Sequence, residues 1–230
     1  MVDLAERVYL FKIVIRGVSP MIWRRILLPE NQTLAELHRA ILICFDWMDL
    51  HLHDFLIHGR QYGLYKPGGG SFDESADRVS LAQLQLREAQ KFVYTYDYYD
   101  WWRHDIRLEK IEPNQKQLTH ALCIGGKGRG PLEDCGGAAA YQHLVKVARY
   151  GPVRDYLVLC LRLGELFNPL NFDRREANKK LKSGYWPEEI IRIALPDDPF
   201  DRHLRQLFSY IDFGTFEPPE DAAEYDPLYW

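Results

Sequence analysis

The sequence has little cysteine, no long hydrophobic run and no excess of positive charge. Its four cysteines, Cys44, Cys123, Cys135 and Cys160, are too few for a disulfide framework in a chain of 230 residues, and no CxxC pair is present. We expect free thiols unless they bind metal. The N-terminal stretch MVDLAERVYLFKIVIRG is interrupted by charges, so it predicts neither a signal peptide nor a membrane span. These absences favour a cytoplasmic protein with no membrane contact.

Net charge and motifs exclude several classes of protein. The net charge is −4 with a pI near 6.1, so the chain has no global field that attracts phosphate backbones, and a nucleic-acid contact would require a local patch. The segment GGKGRG fails the P-loop pattern, because Ala121 stands where a glycine is needed and Gly128 where serine or threonine is needed. No G-x-S-x-G elbow, H-E-x-x-H helix or dinucleotide-binding fingerprint is present.

What is present predicts an α+β fold. RVYLFKIVIRG and MIWRRILLP, separated by a Gly-Val-Ser-Pro turn, predict a hairpin of two buried strands. Thr33 and Glu36 form a capping box before apolar residues at helical spacing, which predicts a helix over residues 33–45. A strand with a turn at Gly59 and a second hairpin follow. We therefore predict a mixed sheet with one covering helix in a β-grasp-like order, plus C-terminal helices, of which one covers residues 138–150.

The stretch FVYTYDYYDWWRHDIRLEKI predicts an aromatic hairpin, with strands at 91–97 and 101–111. Alternation of side chains puts its rings and apolar residues on one face and its charged residues on the other. His104 falls among the rings, and a hydrogen-bonded core histidine is the favoured interpretation. Asp97 falls on the charged face, so a direct relay to His104 is not expected. The apolar face comprises Phe92, Tyr94, Tyr96, Trp102, His104, Ile106 and Leu108.

Several residues are candidates for chemistry. His51 and His53 are two apart on a predicted strand and would project from one face, as two metal ligands can; packed neutral imidazoles are the alternative. Cys123 and Cys135 could supply thiolates to zinc with a histidine from elsewhere, although no knuckle motif supports this. As catalytic candidates we take Asp100, His104, Glu133 and Asp134.

Binding candidates are the exposed cations and one indole. Lys127 and Arg129 lie in the glycine-rich segment and could contact an anion, if this segment is not simply a flexible surface loop. DRREANKKLKSG predicts a basic helix behind an Asp173 cap; most such runs are solvated faces, and nucleic-acid contact is the alternative. The binding candidates are Trp102, Lys127, Arg129, Arg174, Arg175 and Lys179.

Four blocks of the chain together resemble a known family. SPMIWRRILLPENQTLAELHRAI, HLHDFLIHGRQYG, FVYTYDYYDWWRHDIRLEKI and CIGGKGRGPLEDCGG follow in order the conserved blocks of the Ri-plasmid Orf-3-like family, also described as mobile-element passenger proteins labelled TnpR. The resemblance covers roughly residues 5 to 185. It implies an α+β domain in an uncharacterised cytoplasmic prokaryotic protein linked to plasmids or insertion elements, and no known activity. A recombinase is rejected, because no activated serine among arginines is found near the N-terminus.

The chain departs from the family pattern at two positions. Tyr99 replaces the usual turn glycine, so this loop must adopt another conformation or accept a positive φ. Gly130 stands where the family often has a further cysteine, which weakens a zinc site built on cysteines. The positions that fit the pattern are His51, His53, Asp97, Asp100, Trp102, His104, Glu133, Asp134, Cys135, Gly136 and Gly137.

These observations lead to two hypotheses. The first is a non-enzymatic binding or adaptor domain of unknown ligand, accessory to a plasmid or mobile element, with a protein as its main expected partner and no cofactor. The alternative is a metal-dependent hydrolase or nuclease, with zinc or another divalent ion at His51, His53 and the Glu133/Asp134 pair. We expect the family domain over residues 1–185, and a helical extension with an acidic, aromatic tail over 186–230.

Overall fold

A single mixed sheet organises the part of the chain that the structure describes. This computed structural model describes residues 6–64, 71–163 and 166–184, all within one compact unit, and the expected extension and tail over 186–230 lie outside them. The elements are β1 (Arg7–Ile15), β2 (Trp23–Pro29), α1 (Leu34–Phe45), β3 (His53–Ile57), β4 (Arg60–Gly63), β5 (Glu74–Ser75), β6 (Lys91–Tyr96), β7 (Trp102–Pro113), β8 (Leu122–Lys127), α2 (Gly137–Tyr150), α3 (Val153–Leu163) and α4 (Arg174–Lys182).

The strand order confirms the predicted class. Across the sheet the strands run β5-β4-β3-β6-β7-β1-β2-β8, and neighbours are antiparallel except for the parallel pair β4 and β5. The aromatic hairpin has the predicted register, since Tyr94 lies opposite His104 and Tyr96 opposite Trp102. The protein is therefore an α+β protein with a mixed sheet.

Helix α1 covers the apolar face of this sheet. Thr33 caps it as predicted, its side chain accepting a hydrogen bond of 3.3 Å from the backbone N–H of Glu36. Most of the helix is buried, because apolar residues recur on the side that faces the strands. Asp46 ends the helix in the left-handed conformation, with φ of 63°, and this turns the chain into the segment that carries His51.

The glycine-rich segment is a strand rather than the surface loop that was weighed for it. Residues 122–127 form β8, the edge strand beyond β2, and only the residues after Lys127 leave the sheet. The strand forms because its backbone groups pair with those of β2. Composition alone, which predicted a loop for GGKGRG, does not show this pairing. Gly125 and Gly126 therefore lie in a sheet, and Lys127 lies at the end of a strand.

A buried arginine joins β2, α1 and β8 on the core side of the sheet. The Arg24 guanidinium donates hydrogen bonds to the backbone carbonyls of Cys44, Trp23, Lys127 and Gly128 at 2.7 to 3.0 Å. Its Cζ atom lies 4.6 Å from the ring centre of Phe45 and 3.6 Å from that of Phe172. Burial lowers the pKa of Arg24 to about 10, which leaves it charged at neutral pH.

Helix α4 lies against the edge strand. Asp173 caps it as predicted, accepting hydrogen bonds from the backbone N–H groups of Arg175 and Glu176. The Asn178 amide accepts from the Cys123 backbone N–H at 2.8 Å and donates to the Cys123 carbonyl at 2.9 Å. This side chain thus pairs with β8 as a neighbouring strand would.

Helices α2 and α3 complete the described chain. Helix α2 matches the predicted 138–150 helix within one residue and buries Tyr141, Leu144 and Val145. Tyr141 packs edge-on against Trp102. In the described ranges, no helix combines the length and the apolar character that crossing a membrane requires.

Candidate functional site

Three segments that are far apart in sequence meet beside the end of the aromatic hairpin. They are residues 46–52 after α1, the turn 97–101 between β6 and β7, and residues 130–136 before α2. Hydrogen bonds tie them together: the Met48 N–H donates to Glu133 at 3.0 Å and the Gly136 N–H donates to Asp100 at 3.1 Å. Each segment contributes one side chain to a group that we call the three-loop cluster, namely His51, Asp97 and Asp134.

His51 is the centre of the three-loop cluster. Its Nε2 atom lies 3.1 Å from Asp134 Oδ1 and 3.6 Å from Asp97 Oδ2. The hydrogen bond to Asp134 is the main cause that raises the pKa of His51, and the charges of both carboxylates add to it. Asp97 is almost fully buried while the Asp134 side chain is 41% exposed, so one side of the cluster opens to solvent.

The backbone around the cluster is unusual. Asp97 and Asp134 both have left-handed backbone conformations, with φ of 59° and 55°, and Trp101 has φ of 58°. Such conformations are uncommon for residues other than glycine and collect at functional sites. Tyr99, which replaces the family's turn glycine, does not have a positive φ. The turn has its positive φ values at Asp97 and Trp101 instead.

Asp97 is placed differently from the sequence prediction. We expected it on the charged face of the hairpin, but β6 ends at Tyr96 and the left-handed Asp97 leaves the strand alternation. Its backbone N–H donates to the Leu52 carbonyl at 2.9 Å, and its Oδ1 accepts from the Tyr99 N–H at 2.8 Å. A side chain predicted to face solvent is therefore buried beside His51.

Two further carboxyl groups fix the segments. Glu133 accepts hydrogen bonds from the Tyr96 hydroxyl and the Met48 N–H, and burial is the main cause that raises its pKa. Asp100 has its pKa raised mainly by burial as well, and a side chain at Gly137 would place its Cβ 2.8 Å from the Asp100 carbonyl oxygen. Glu133 and Asp100, two of the catalytic candidates, thus hold neighbouring segments in place beside the three-loop cluster.

The donors of the three-loop cluster suit a divalent metal ion. Zinc binds histidine nitrogen and carboxylate oxygen at about 2.0 to 2.2 Å, which separates two ligands of a tetrahedral site by about 3.4 Å. The two distances from His51 Nε2, 3.1 and 3.6 Å, lie on either side of that separation. All three donor atoms lie within 4.8 Å of one another. The residues present therefore fit a three-ligand metal site.

A second group with donor atoms within 4.8 Å of one another, His38, Asp49 and His53, lies in the core, but its two rings are not oriented toward a common ion. His38 Nδ1 is 2.7 Å from the Tyr94 hydroxyl and its Nε2 is 3.1 Å from Asp49 Oδ1. The His53 ring stacks on His38 with centroids 3.4 Å apart and planes inclined by 10°. Because the lone pairs of imidazole lie in the ring plane, two stacked rings point in parallel and do not converge on one ion.

His51 and His53 therefore do not form the expected ligand pair. Strand β3 begins at His53, so His51 precedes the strand and is not held to its alternation. The sequence had favoured neither His38 nor Asp49 as functional residues. One sequence signal for His38 was available. This residue stands four residues after Leu34, on the apolar side of the predicted helix, and this position predicts a buried histidine.

His104 and Trp102 belong to the core, as the favoured interpretation of the hairpin required. His104 is fully buried, with its ring edge-on to Phe45 and Trp47. Its Nδ1 lies 3.1 Å from the Trp102 carbonyl oxygen, a distance at which an Nδ1–H can donate. Trp102, a binding candidate from the sequence, is 1% exposed, so its ring faces the core and not the solvent. Neither residue can meet a ligand without the core opening.

The burial of His104 makes stability depend on pH. Desolvation lowers the pKa of His104 to about 3, against 6.5 for the unperturbed ring. The stability that the neutral ring contributes is present above about pH 6.5 and is lost as the pH falls toward about 3. We expect the wild type to lose about 2 to 3 kcal/mol more than His104→Gln between pH 7 and about 4.5, measured by urea unfolding. Equal losses would contradict this assignment.

Within the described ranges, the cysteines do not assemble a zinc site. Cys123, on β8, adjoins Cys44 of α1 in the core, and the contact between these two thiols is the main cause that raises the pKa of Cys44. Cys135 is buried in the segment before α2, where burial raises the pKa of its thiol. Among the described residues, neither belongs to a group of three metal-ligating side chains.

The cationic candidates lie apart from the three-loop cluster. Arg129 packs over the Phe167 ring at 5.5 Å, and Lys127 is exposed at the end of β8. On α4, Arg174 donates to the Ile124 carbonyl at 2.8 Å, Lys179 lies 3.7 Å from Glu176, and Arg175 is exposed. These contacts give α4 a role in covering the edge strand.

Comparison with known proteins places the chain in a family. A family model described as plasmid pRiA4b ORF-3-like protein matches residues 7–176. The chain is 31% identical over 132 residues to uncharacterized protein y4hQ of Sinorhizobium fredii, covering 57% of this chain and 68% of that protein. The crystal structure of a protein of unknown function, MM3350 from Methanosarcina mazei Go1, is 34% identical with a TM-score of 0.66, covering 75% of this chain and 98% of that one. The chain belongs to the plasmid pRiA4b ORF-3-like protein family.

Proposed function

We propose that the protein is a binding domain that holds a divalent cation at the three-loop cluster, with His51, Asp97 and Asp134 as its ligands. The observation that carries the proposal is the meeting of these donors from three separate segments, at separations that a metal ion would bridge. A histidine with two carboxylates suits zinc or manganese better than calcium, which takes oxygen ligands.

Exposed rings beside the cluster support a protein partner. Tyr99 is 97% exposed and Trp101 is 55% exposed, and both lie in the turn that begins with Asp97. The Tyr98 and Trp101 rings are 5.6 Å apart, which gives the turn a joint aromatic surface. Large exposed aromatic residues are typical of protein interfaces. We include in the proposal an accessory role to a plasmid or mobile element, which the plasmid named in the family description supports. The proposal also keeps the cytoplasmic location that the sequence predicts.

The proposal predicts stoichiometric metal binding that depends on the cluster. After chelator treatment and dialysis, the wild type should bind one equivalent of zinc or manganese in isothermal titration calorimetry. His51→Ala and Asp134→Asn should each weaken that affinity by about 100-fold, since the first removes a ligand and the second removes the negative charge of one. Metal should also raise the melting temperature of the wild type, because an ion that binds only the folded state stabilises it.

Matched controls separate the cluster from other surface groups. His143→Ala and Asp77→Asn change an exposed histidine and an exposed aspartate that do not belong to the cluster. Both should bind metal as the wild type does. A wild type that binds no metal, or cluster variants that bind as tightly as these controls, would show that the proposal is wrong.

A metal-dependent hydrolase is the second candidate. The specific observation in its favour is that the cluster offers three protein ligands and opens to solvent at Asp134, so water could complete the coordination. Catalytic metal sites keep such an open position, and the bound water becomes a nucleophile near neutral pH. It predicts metal-dependent hydrolysis of bis(p-nitrophenyl) phosphate that Asp134→Asn abolishes. Stoichiometric metal binding without turnover would leave the binding domain as the function.

A further inference from the structure

Four cations lie directly opposite one another across four neighbouring strands. The register pairs Lys91 of β6 with Arg107 of β7, Arg107 with Lys12 of β1, and Lys12 with Arg25 of β2. Directly opposed side chains in antiparallel strands have Cβ atoms about 5 Å apart. We call this set, Lys91, Arg107, Lys12 and Arg25, the cationic row.

The cationic row lies on the face of the sheet away from α1. Residues alternate along each strand, and the neighbours of the row, such as Phe11, Ile26, Phe92 and Ile106, are buried on the α1 side. The members of the row are exposed or half-buried. Lys91 and Arg107 of the row are exposed, whereas α1 covers the opposite face.

Carboxylates also lie on the face that carries the row. Glu109 accepts two hydrogen bonds from Arg25, at 2.7 and 3.0 Å, and Asp105 pairs with Arg16. The hydrogen bond from Arg25 is the main cause that lowers the pKa of Glu109, and the charges of Lys12 and Arg107 add to it. A single carboxylate thus lies in the field of three members of the row.

Apart from the Arg25–Glu109 pair, folding does not explain this arrangement. Like charges placed directly opposite each other destabilise a sheet, and opposite charges at these positions would have stabilised it. The chain as a whole is acidic, with a net charge of −4. The row is therefore a local concentration of positive charge in a negatively charged protein. A row of cations on an open face is the electrostatic arrangement that attracts a chain of phosphates.

We propose that the cationic row and Trp23 form a binding surface for single-stranded nucleic acid. Strands lie about 4.8 Å apart, so the row spans roughly 14 Å, enough to follow several phosphates. Trp23 precedes Arg25 by two residues on the same face, and the Arg25 Cζ lies 5.1 Å from its ring. An aromatic ring beside a cationic track is how proteins bind single strands without reading sequence, because each base can stack.

The ring of Trp23 lies over a glycine of the neighbouring strand. Gly125 lies opposite Arg25 on β8, and a Cβ there would be 3.5 Å from the Trp23 ring. The indole therefore extends over the glycine rather than away from the sheet. Duplexes hide their bases in the stack, so this pairing of ring and cations favours unpaired strands.

Fluorescence anisotropy with a labelled twelve-nucleotide oligo(dT) and the whole chain tests the proposal. We expect the logarithm of the binding constant to fall with the logarithm of salt concentration with a slope of about −3, since each phosphate contact on a single strand contributes about −0.7. The double variant Lys12→Gln, Arg107→Gln should bind at least about tenfold more weakly and bring the slope to about −1.4. Trp23→Leu should weaken binding about tenfold at an unchanged slope.

Basic helix α4 supplies the matched control. Arg175→Gln, Lys179→Gln removes the same number of charges, and it should bind oligo(dT) within twofold of the wild type. The melting temperature of the row variant should stay close to that of the wild type, because relief of the like-charge contacts offsets the lost attraction of Lys12 and Arg107 to Glu109. The proposal is overturned if oligo(dT) does not bind at 50 mM salt, or if the α4 variant loses as much affinity as the row variant. It is equally overturned if a duplex of the same length binds as tightly and Trp23→Leu has no effect, or if only anionic phosphatidylglycerol vesicles bind to the row.

Discussion

Replacing Arg24 with methionine should lower the free energy of unfolding by at least about 4 kcal/mol. The substitution removes a charged donor from four buried or partly buried backbone carbonyls, and each hydrogen bond to a charged group contributes about 1.5 to 3 kcal/mol. Methionine keeps the apolar contact with Phe45 and Phe172 but supplies no donor, so those carbonyls remain desolvated without a partner. Lysine should not rescue the loss, because its ammonium cannot reproduce the planar set of donors.

Arg25→Met is the matched control, since the two arginines are adjacent on β2 but face opposite sides of the sheet. Arg25 is partly exposed and pairs with one carboxylate, Glu109, so its loss should cost less than about 1 kcal/mol. Urea unfolding followed by circular dichroism compares the two variants. A similar, small loss for both would mean that the Arg24 hydrogen bonds do not hold β2, α1 and β8 together.

Gly130→Ala should destabilise the protein by about 3 kcal/mol and weaken metal binding with it. A Cβ atom at this position would lie 2.0 Å from the backbone oxygen of Phe45, and a backbone group at the end of a helix cannot move aside as a flexible side chain can. The next residue, Pro131, accepts a hydrogen bond of 2.8 Å from Trp47 Nε1, so residues 45–47 and 130–131 are fixed against each other. Displacing one segment displaces the other, and with them His51 and Asp134.

Gly125→Ala provides the comparison for Gly130→Ala. The nearest atoms to a Cβ at position 125 belong to the Trp23 ring, at an ordinary contact distance of 3.5 Å. This variant should therefore unfold within about 1 kcal/mol of the wild type and keep its metal affinity. Thermal unfolding and zinc titration of both variants check the prediction. Full metal affinity in a destabilised Gly130→Ala protein would show that the segment does not position the cluster.

Local patterns predicted most of the fold because local interactions form it. The Thr33 capping box, the β1–β2 hairpin and the register of the aromatic hairpin all follow from residues close in sequence. The glycine-rich segment was harder, since its strand exists only through pairing with β2, nearly a hundred residues earlier. Glycine has no intrinsic preference for strands, so no local pattern within the segment predicts β8.

The candidate site was predicted in part for the same reason. His51 and Asp134 were recognised as residues that can bind metal, but which side chains meet depends on how three distant segments converge. Asp97 was misplaced because period-two alternation was extended one residue beyond the end of β6. The two-residue spacing predicted that His53 and His51 would bind one metal ion together. The His53 ring instead stacks on His38, and this contact depends on α1 crossing the sheet. The sequence shows which side chains can bind a metal ion, but it does not show which of them lie close together in the fold.

The contact between α4 and the edge of the sheet bears on the behaviour of the protein at high concentration. An edge strand exposes unpaired N–H and C=O groups that can recruit a strand of another molecule, and a glycine-rich edge offers little steric resistance. Asn178 occupies both groups of Cys123, and Arg174 occupies the carbonyl of Ile124. The helix therefore covers these groups, and a variant in which α4 detaches should expose an edge on which a strand of another molecule can pair.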